Sequence, residues 1–134
     1  MFSLHALGTI ALWWIVILAF LAVTTILFNL LTHYDDIGEI RKGNLAVALA
    51  SSGKLIGNGL VLLFAMMNND SLTQTILWGG IGFVLLVITY FLFDLVTPRF
   101  RINEELQKGN LAVGALIFVL MLLVGGIIGA ATWA

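Results

Sequence analysis

The chain has 134 residues, of which 61% are hydrophobic and 10% charged, with a formal net charge of −1 and no cysteine. Soluble globular domains carry about 25% charged residues, so this composition excludes an ordinary soluble domain. The lack of cysteine excludes disulfides and cysteine-ligated metals. We expect no metal site, no cofactor and no nucleic-acid partner.

Four apolar stretches are long enough to cross about 30 Å of hydrocarbon as helices. They cover residues 9–31, 46–67, 76–96 and 111–133. Helices are favoured because the bilayer core offers no water to the backbone, and the alternation of a barrel strand is absent. We therefore predict an all-α protein with four transmembrane helices in the lipid bilayer. The first stretch lacks the basic start of a signal peptide, so we expect it to be retained.

Basic residues are concentrated in the first and third links between these stretches. Five of the six lysines and arginines lie there: Arg41, Lys42, Arg99, Arg101 and Lys108. The positive-inside rule then places both charged links in the cytoplasm and both termini outside it. The tryptophans agree, because all four fall toward the predicted outer ends of their helices: Trp13, Trp14, Trp78 and Trp133.

One short phrase occurs twice, 66 residues apart, each time between two apolar stretches. The first copy reads Lys42-Gly43-Asn44-Leu45-Ala46-Val47-Ala48, and the second Lys108-Gly109-Asn110-Leu111-Ala112-Val113-Gly114. Because each unit holds two helices, the copies share one orientation. We predict two parallel-repeat helical hairpins, residues 1–67 and 68–134, within one integral membrane domain.

Each charged link is predicted to contain a short amphipathic helix at the cytoplasmic interface. Its apolar side chains would point toward lipid: Ile37, Ile40, Ile102 and Leu106. Asp36 and Glu39 resemble a capping box, and Asn103 is the expected cap in the second copy. A bend would follow in each copy, with glycine for the turn and asparagine for the freed backbone groups: Gly43, Asn44, Gly109 and Asn110. The alternative is a plain polar loop that runs into a straight helix.

These phrases, with two further motifs, carry a family resemblance. The motifs are Ser52-Gly53-Lys54-Leu55-Ile56-Gly57-Asn58-Gly59 in the first half and Phe93-Asp94, Pro98-Arg99-Phe100 and Glu104-Glu105-Leu106-Gln107 in the second. The chain resembles the YjfL-like inner-membrane family, domain of unknown function 350, over nearly its whole length. The resemblance implies a four-helix protein of the bacterial inner membrane and supplies no established activity.

The second apolar stretch differs from the others because it carries a ridge of small residues and a polar face. The ridge is formed by Ala46, Ala50, Gly53 and Gly57, and such ridges let another helix approach closely. The fourth stretch has a comparable packing motif at Gly125 and Gly129. Whether such contacts lie within one chain or between chains stays open.

The polar face adjoining the ridge holds Ser51, Lys54 and Asn58. Lys54 lies about 15 Å beyond Gly43 by helical rise, near the bilayer centre, where a charge needs a partner or water. The third stretch contains Tyr90 and the intramembrane acid Asp94, which Lys54 could approach. One interpretation is a site that handles ions, protons or anions. The other is a buried ion pair that fixes how the hairpins dock.

The leading functional hypothesis is a non-enzymatic membrane protein that self-associates, or binds another membrane protein or component, through the small-residue ridges. The alternative is a small oligomeric channel or transporter with a polar path around Lys54. An enzyme is not expected, because the paired acid–base or ligand sets of such chemistry are missing.

Overall fold

The computed structural model describes residues 3–32, 34–97 and 101–132. Within these ranges the chain forms α-helices and no strand, which confirms the all-α prediction. The helices are α1 (Leu4–Thr32), α2 (Asp36–Arg41), α3 (Leu45–Asn68), α4 (Leu72–Leu95), α5 (Ile102–Gln107) and α6 (Leu111–Ala131).

Four of these helices, α1, α3, α4 and α6, are long and apolar enough to span a membrane, as predicted. Three of these spanning helices begin directly after a residue whose side chain caps the helix N-terminus. The side chains of Asn44, Ser71 and Asn110 each accept a hydrogen bond from a backbone N–H of the first turn. The predicted anchor Trp133 and the link residues Pro98, Arg99 and Phe100 lie outside the described residues.

Both charged links contain a short helix that ends in an elbow, and the two elbows have the same hydrogen bonds. Gly43 and Gly109 take φ values of 85° and 82°, a left-handed conformation that glycine adopts without steric cost. In each elbow the glycine N–H bonds to the carbonyl three residues back, and the next N–H bonds to the carbonyl five residues back. This is the Schellman ending of a helix, and it reverses the chain into the spanning helix that follows.

The asparagine after each glycine forms hydrogen bonds with the helices on both sides of the elbow. Asn44 Oδ1 accepts from the Val47 N–H at 3.2 Å, while its Nδ2 donates to Glu39 Oε1 at 3.3 Å. Asn110 makes the equivalent contacts with Val113 and Glu105. Each asparagine therefore caps one helix and anchors the end of the other. The parallel relation of the two hairpins, residues 1–67 and 68–134, stays a prediction.

Two details of the predicted links are wrong. Ile102 and Leu106 are fully buried in the core rather than turned to lipid, whereas Ile37 is 68% exposed. The difference arises because α5 packs against the start of α3, where Asn44 Nδ2 also donates to the Leu106 carbonyl at 2.9 Å.

The predicted helix caps of the links also differ from the structure. The cap of α2 is Asp35, whose side chain accepts from the Gly38 N–H, so Asp36 and Glu39 do not form the predicted capping box. Asn103 lies inside α5 rather than before it. The local sequence did not reveal either difference. A shift of the helix start by one residue changes which side chain lies near the free N–H groups.

Helix α3 is the centre of the fold and contacts every other helix. Its most extensive contact is with α6, whereas α1 contacts the rest only sparsely. The buried residues of α1 form a single stripe, Thr24, Phe28 and Thr32, at intervals of four residues. This stripe faces the polar side of α3, and it closes one side of the candidate site.

Candidate functional site

Lys54 lies at the middle of the site, inside a box of three aromatic rings. Its side chain is only 4% exposed. Lys54 Nζ lies 5.0 Å from the ring centroids of Phe28 and Tyr34 and 4.8 Å from that of Tyr90. Nζ also donates a hydrogen bond to the Tyr34 hydroxyl at 2.9 Å. The aromatic faces and the phenol oxygen thus stabilise an ammonium group that the bilayer would otherwise penalise.

The box is held by contacts among its own members. Phe28 meets Tyr90 edge to face, with ring centroids 5.4 Å apart and an interplanar angle of 89°. The Tyr90 hydroxyl donates to Asn103 Oδ1 at 2.6 Å, and Asn103 Nδ2 donates to the Thr32 carbonyl at 2.7 Å. Asn103 therefore ties α4, α5 and α1 together, which explains why it is not a cap.

Tyr34 lies between α1 and α2, outside the spanning helices. Burial raises the pKa of its phenol well above the ordinary value, and nearby Tyr90 and Asp36 act in the same direction. The hydroxyl therefore stays neutral at physiological pH. Loss of the phenol proton therefore does not disrupt the hydrogen bond between Tyr34 and Lys54 in this pH range.

Asp36 is the second buried charged side chain of the site, with 4% of its surface exposed. Asp36 Oδ2 accepts a hydrogen bond from Ser51 Oγ at 2.7 Å. The other carboxyl oxygen, Oδ1, is buried and has no hydrogen-bond partner in the described part of the chain. Asp36 was predicted to cap the short link helix, and the structure places its side chain against α3 instead.

Asn58, one turn beyond Lys54, also has one polar atom with a hydrogen-bond partner and one without. Its Nδ2 donates to Thr24 Oγ1 on α1. Its Oδ1 is buried and unpartnered among the described residues. Two acceptor atoms, Asp36 Oδ1 and Asn58 Oδ1, are thus left without donors.

The residues that carry these acceptors, Asp36 and Asn58, both line one cavity of about 400 Å³ between α1, α2 and α3. Its polar lining is Thr24, Thr25, Asn29, Asp36, Ser51, Ser52, Lys54 and Asn58, and its apolar lining is Ile26, Phe28, Ile37, Ile40, Ala48 and Leu55. A second cavity of about 450 Å³ shares four of these residues and extends to Tyr34 and Asp35. We call the first space the Lys54 cavity.

The structure does not bring Lys54 and Asp94 into an ion pair. The ion pairs found in the described ranges, Glu39–Lys42 and Glu105–Lys108, involve neither residue. Asp94 Oδ1 instead accepts a hydrogen bond from the Ile102 N–H at 3.0 Å. Because Arg101 provides no side-chain cap to α5, Asp94 serves that end of the helix from α4.

The small-residue ridge of α3 is covered by α6 of the same chain. A Cβ atom added at Gly53 would lie 2.6 Å from Phe118 Cα, and one at Gly57 would lie 2.5 Å from the Met121 carbonyl oxygen. Ala46 and Ala50 are fully buried, and Gly114 meets the Ala46 backbone. The ridge is therefore occupied within the chain and leaves no free groove for a neighbouring chain.

The packing motif of α6 also has intrachain partners. A Cβ at Gly125 would meet the Gly57 backbone, and one at Gly129 would meet the Phe64 ring. The helices α3 and α6 thus approach backbone to backbone, as small residues at matching positions allow.

Comparison with known proteins gives a consistent result. The chain matches a family described as Domain of Unknown Function (DUF350) over residues 1–132. It is 42% identical over 116 residues to the UPF0719 transmembrane protein YshE of Bacillus subtilis (strain 168), covering 87% of each chain. It is 29% identical over 117 residues to the UPF0719 inner membrane protein YjfL of Escherichia coli (strain K12), covering 86% of each chain. No solved structure gives a significant match.

Proposed function

We propose, from the premise that this chain belongs to the DUF350 family of multi-pass membrane proteins, that it is a non-enzymatic binding component of the bacterial inner membrane. In this proposal the Lys54 cavity holds a polar group of another membrane component. Both termini lie outside the cytoplasm, as the charged links predict.

The observation that carries the proposal is the pair of unpartnered acceptors in one cavity, Asp36 Oδ1 and Asn58 Oδ1. A buried polar atom without a partner costs about 1–3 kcal/mol. A ligand that donates hydrogen bonds to both would recover this cost on binding. If these polar residues only held the helices together, the two acceptor atoms would have hydrogen-bond donors within the chain.

The same geometry supports binding rather than catalysis. Asp36 is the one carboxyl group among the described residues that line the cavity. Acid–base chemistry uses a second titratable group within hydrogen-bond reach of the first. Lys54 does not supply it, because its Nζ bonds Tyr34 and is not paired with Asp36.

The proposed binding site also replaces the small-residue ridge as the place where a partner is held. The ridge is covered by α6, so it supports the fold rather than an assembly. Association with a second copy, or with another membrane protein, stays a prediction.

A cavity-filling variant tests the proposal. Ser52 is exposed and lines the Lys54 cavity, so Ser52→Phe would fill it without removing Asp36, Lys54 or Asn58. We expect native mass spectrometry of the wild-type protein, purified in mild detergent, to show a bound non-protein molecule. We expect Ser52→Phe to lower its occupancy at least about tenfold, the effect of about 1.4 kcal/mol in binding free energy.

The matched control is Ile56→Phe on the same helix, where the side chain is 43% exposed. Ile56 is not among the residues that line the cavity. This variant should keep the wild-type occupancy. Equal occupancy in wild type and Ser52→Phe would contradict the proposal.

A second candidate function, a small channel or transporter, is favoured by two neighbouring cavities that share part of their lining. They share Asn29 and Asp36, and together they extend from Asp35 at the predicted cytoplasmic end to Asn58 within the membrane. Lys54 then faces a path inside one chain rather than between chains.

Liposomes that contain the purified protein test this second candidate. A channel or transporter should give proton or ion flux above that of protein-free liposomes, and Lys54→Leu should reduce the flux at least about tenfold. Flux that is absent, or that is the same in Lys54→Leu, would remove this candidate and leave the binding proposal standing.

A further inference from the structure

We infer that the ligand of the Lys54 cavity is a zwitterion, with a primary ammonium group at Asp36 and an anionic group toward Lys54. The inference rests on the proposed function and names the chemical class that the site takes. A phosphoethanolamine group combines both charges, and it occurs as a lipid headgroup and as a free molecule.

The cavity lining carries two buried charges of opposite sign. Asp36 and Lys54 are both 4% exposed and line the same cavity. Neither lies within 4.0 Å of an oppositely charged side chain in the described ranges. A ligand of a single sign would compensate one group and oppose the other, whereas a zwitterion compensates both.

The hydrogen bonding of the site selects the cationic group. Among the residues that line the cavity, Asp36 Oδ1 is an acceptor without a donor, so a cationic group placed at Asp36 must carry N–H donors. A primary ammonium group offers three donors, and a trimethylammonium group offers none. The site should therefore distinguish an ethanolamine headgroup from a choline headgroup of the same charge.

The cavity is also accessible from the bilayer side. Three apolar residues of its lining are exposed: Ile26 at 58%, Ile37 at 68% and Leu55 at 47%. Acyl chains can lie against these side chains while the headgroup enters. Ser51, which bonds Asp36, follows Asn44 by seven residues, or roughly 10 Å of helical rise, so Asp36 lies nearer the start of α3 than Lys54 does.

The test compares lipids with identical acyl chains by native mass spectrometry of the wild-type protein in mild detergent. We expect phosphatidylethanolamine to bind at least about tenfold more tightly than phosphatidylcholine and than the anionic phosphatidylglycerol, since a charge-assisted hydrogen bond is at stake. Free phosphoethanolamine is added as a competitor. Competition at equal concentration supports a free zwitterion as the source, and its absence supports the lipid headgroup.

Asp36→Asn is the variant, and Asp70→Asn, an equal charge change at an exposed position beyond the end of α3, is its control. We expect Asp36→Asn to lose the preference for ethanolamine over choline and Asp70→Asn to keep it. If Asp36→Asn does not fold, the headgroup preference of the wild type decides by itself. Equal binding of the ethanolamine and choline lipids would overturn the inference.

The two proposals fail in different ways. If all three lipids bind equally and Ser52→Phe still lowers their binding, the zwitterion inference is wrong and the proposed function stands. Occupancy that Ser52→Phe does not change would overturn both.

Discussion

Replacing Gly57 with leucine is expected to destabilise the folded protein by about 3 kcal/mol, because the side chain would enter a contact between two helix backbones. The Cβ alone would lie 2.5 Å from the Met121 carbonyl oxygen, and Gly125 of α6 faces the same position of α3. Neither helix can yield without breaking the contact along the ridge. The free energy of unfolding would be measured by titrating mixed micelles with SDS and following tryptophan fluorescence.

Gly59→Leu is the matched control, two residues further along the same helix. A Cβ at Gly59 meets nothing within 4 Å, so the leucine would point into open space or lipid. This variant should keep the wild-type stability or gain slightly, since leucine is a better helix former than glycine. Equal losses in the two variants would show that the α3–α6 contact is not as close as described.

Replacing Lys54 with methionine is expected to cost about 2 kcal/mol of stability, although methionine suits an aromatic box. Removing one of two buried opposite charges typically costs 3–5 kcal/mol, because the other is left uncompensated. The cost should be smaller here, since Lys54 and Asp36 do not form a direct ion pair. The same micelle titration measures the loss.

The double variant Lys54→Met with Asp36→Asn tests the reason for this loss. Removing both charges should recover at least half of the stability, whereas two independent contacts would give additive losses. Lys42→Met is the control, because Lys42 has a side chain 76% exposed and pairs with Glu39 at the surface. That pair should contribute little.

The sequence was sufficient for the class of fold and for the family. Long apolar stretches leave few alternatives to spanning helices, and the repeated Lys-Gly-Asn phrase marks both elbows. The polar face of α3 was also visible, because Ser51, Lys54 and Asn58 have helical spacing. These features depend on short stretches of sequence, so the rules of helix geometry are enough to predict them.

The surroundings of Lys54 were not visible, because they depend on how distant helices pack. Phe28 is one of nine phenylalanines in the chain, and nothing in its neighbours marks it as a wall of the box. Asp36 sits among other charged residues of a link, and nothing in that sequence marks it as buried against α3. Asp94 seemed a partner for Lys54 because it is an acid within an apolar stretch, yet it bonds the start of α5.

The sparse packing of α1 has a consequence for how a ligand reaches the Lys54 cavity. The wall formed by α1 meets its neighbours through the stripe of Thr24, Phe28 and Thr32, while the opposite side of α3 is locked to α6 through glycine backbones. If the cavity holds a ligand as proposed, entry from the bilayer requires the displacement of α1, the spanning helix with the sparsest contacts. Loading and release would then proceed sideways, past α1, while the pair of α3 and α6 keeps its contact.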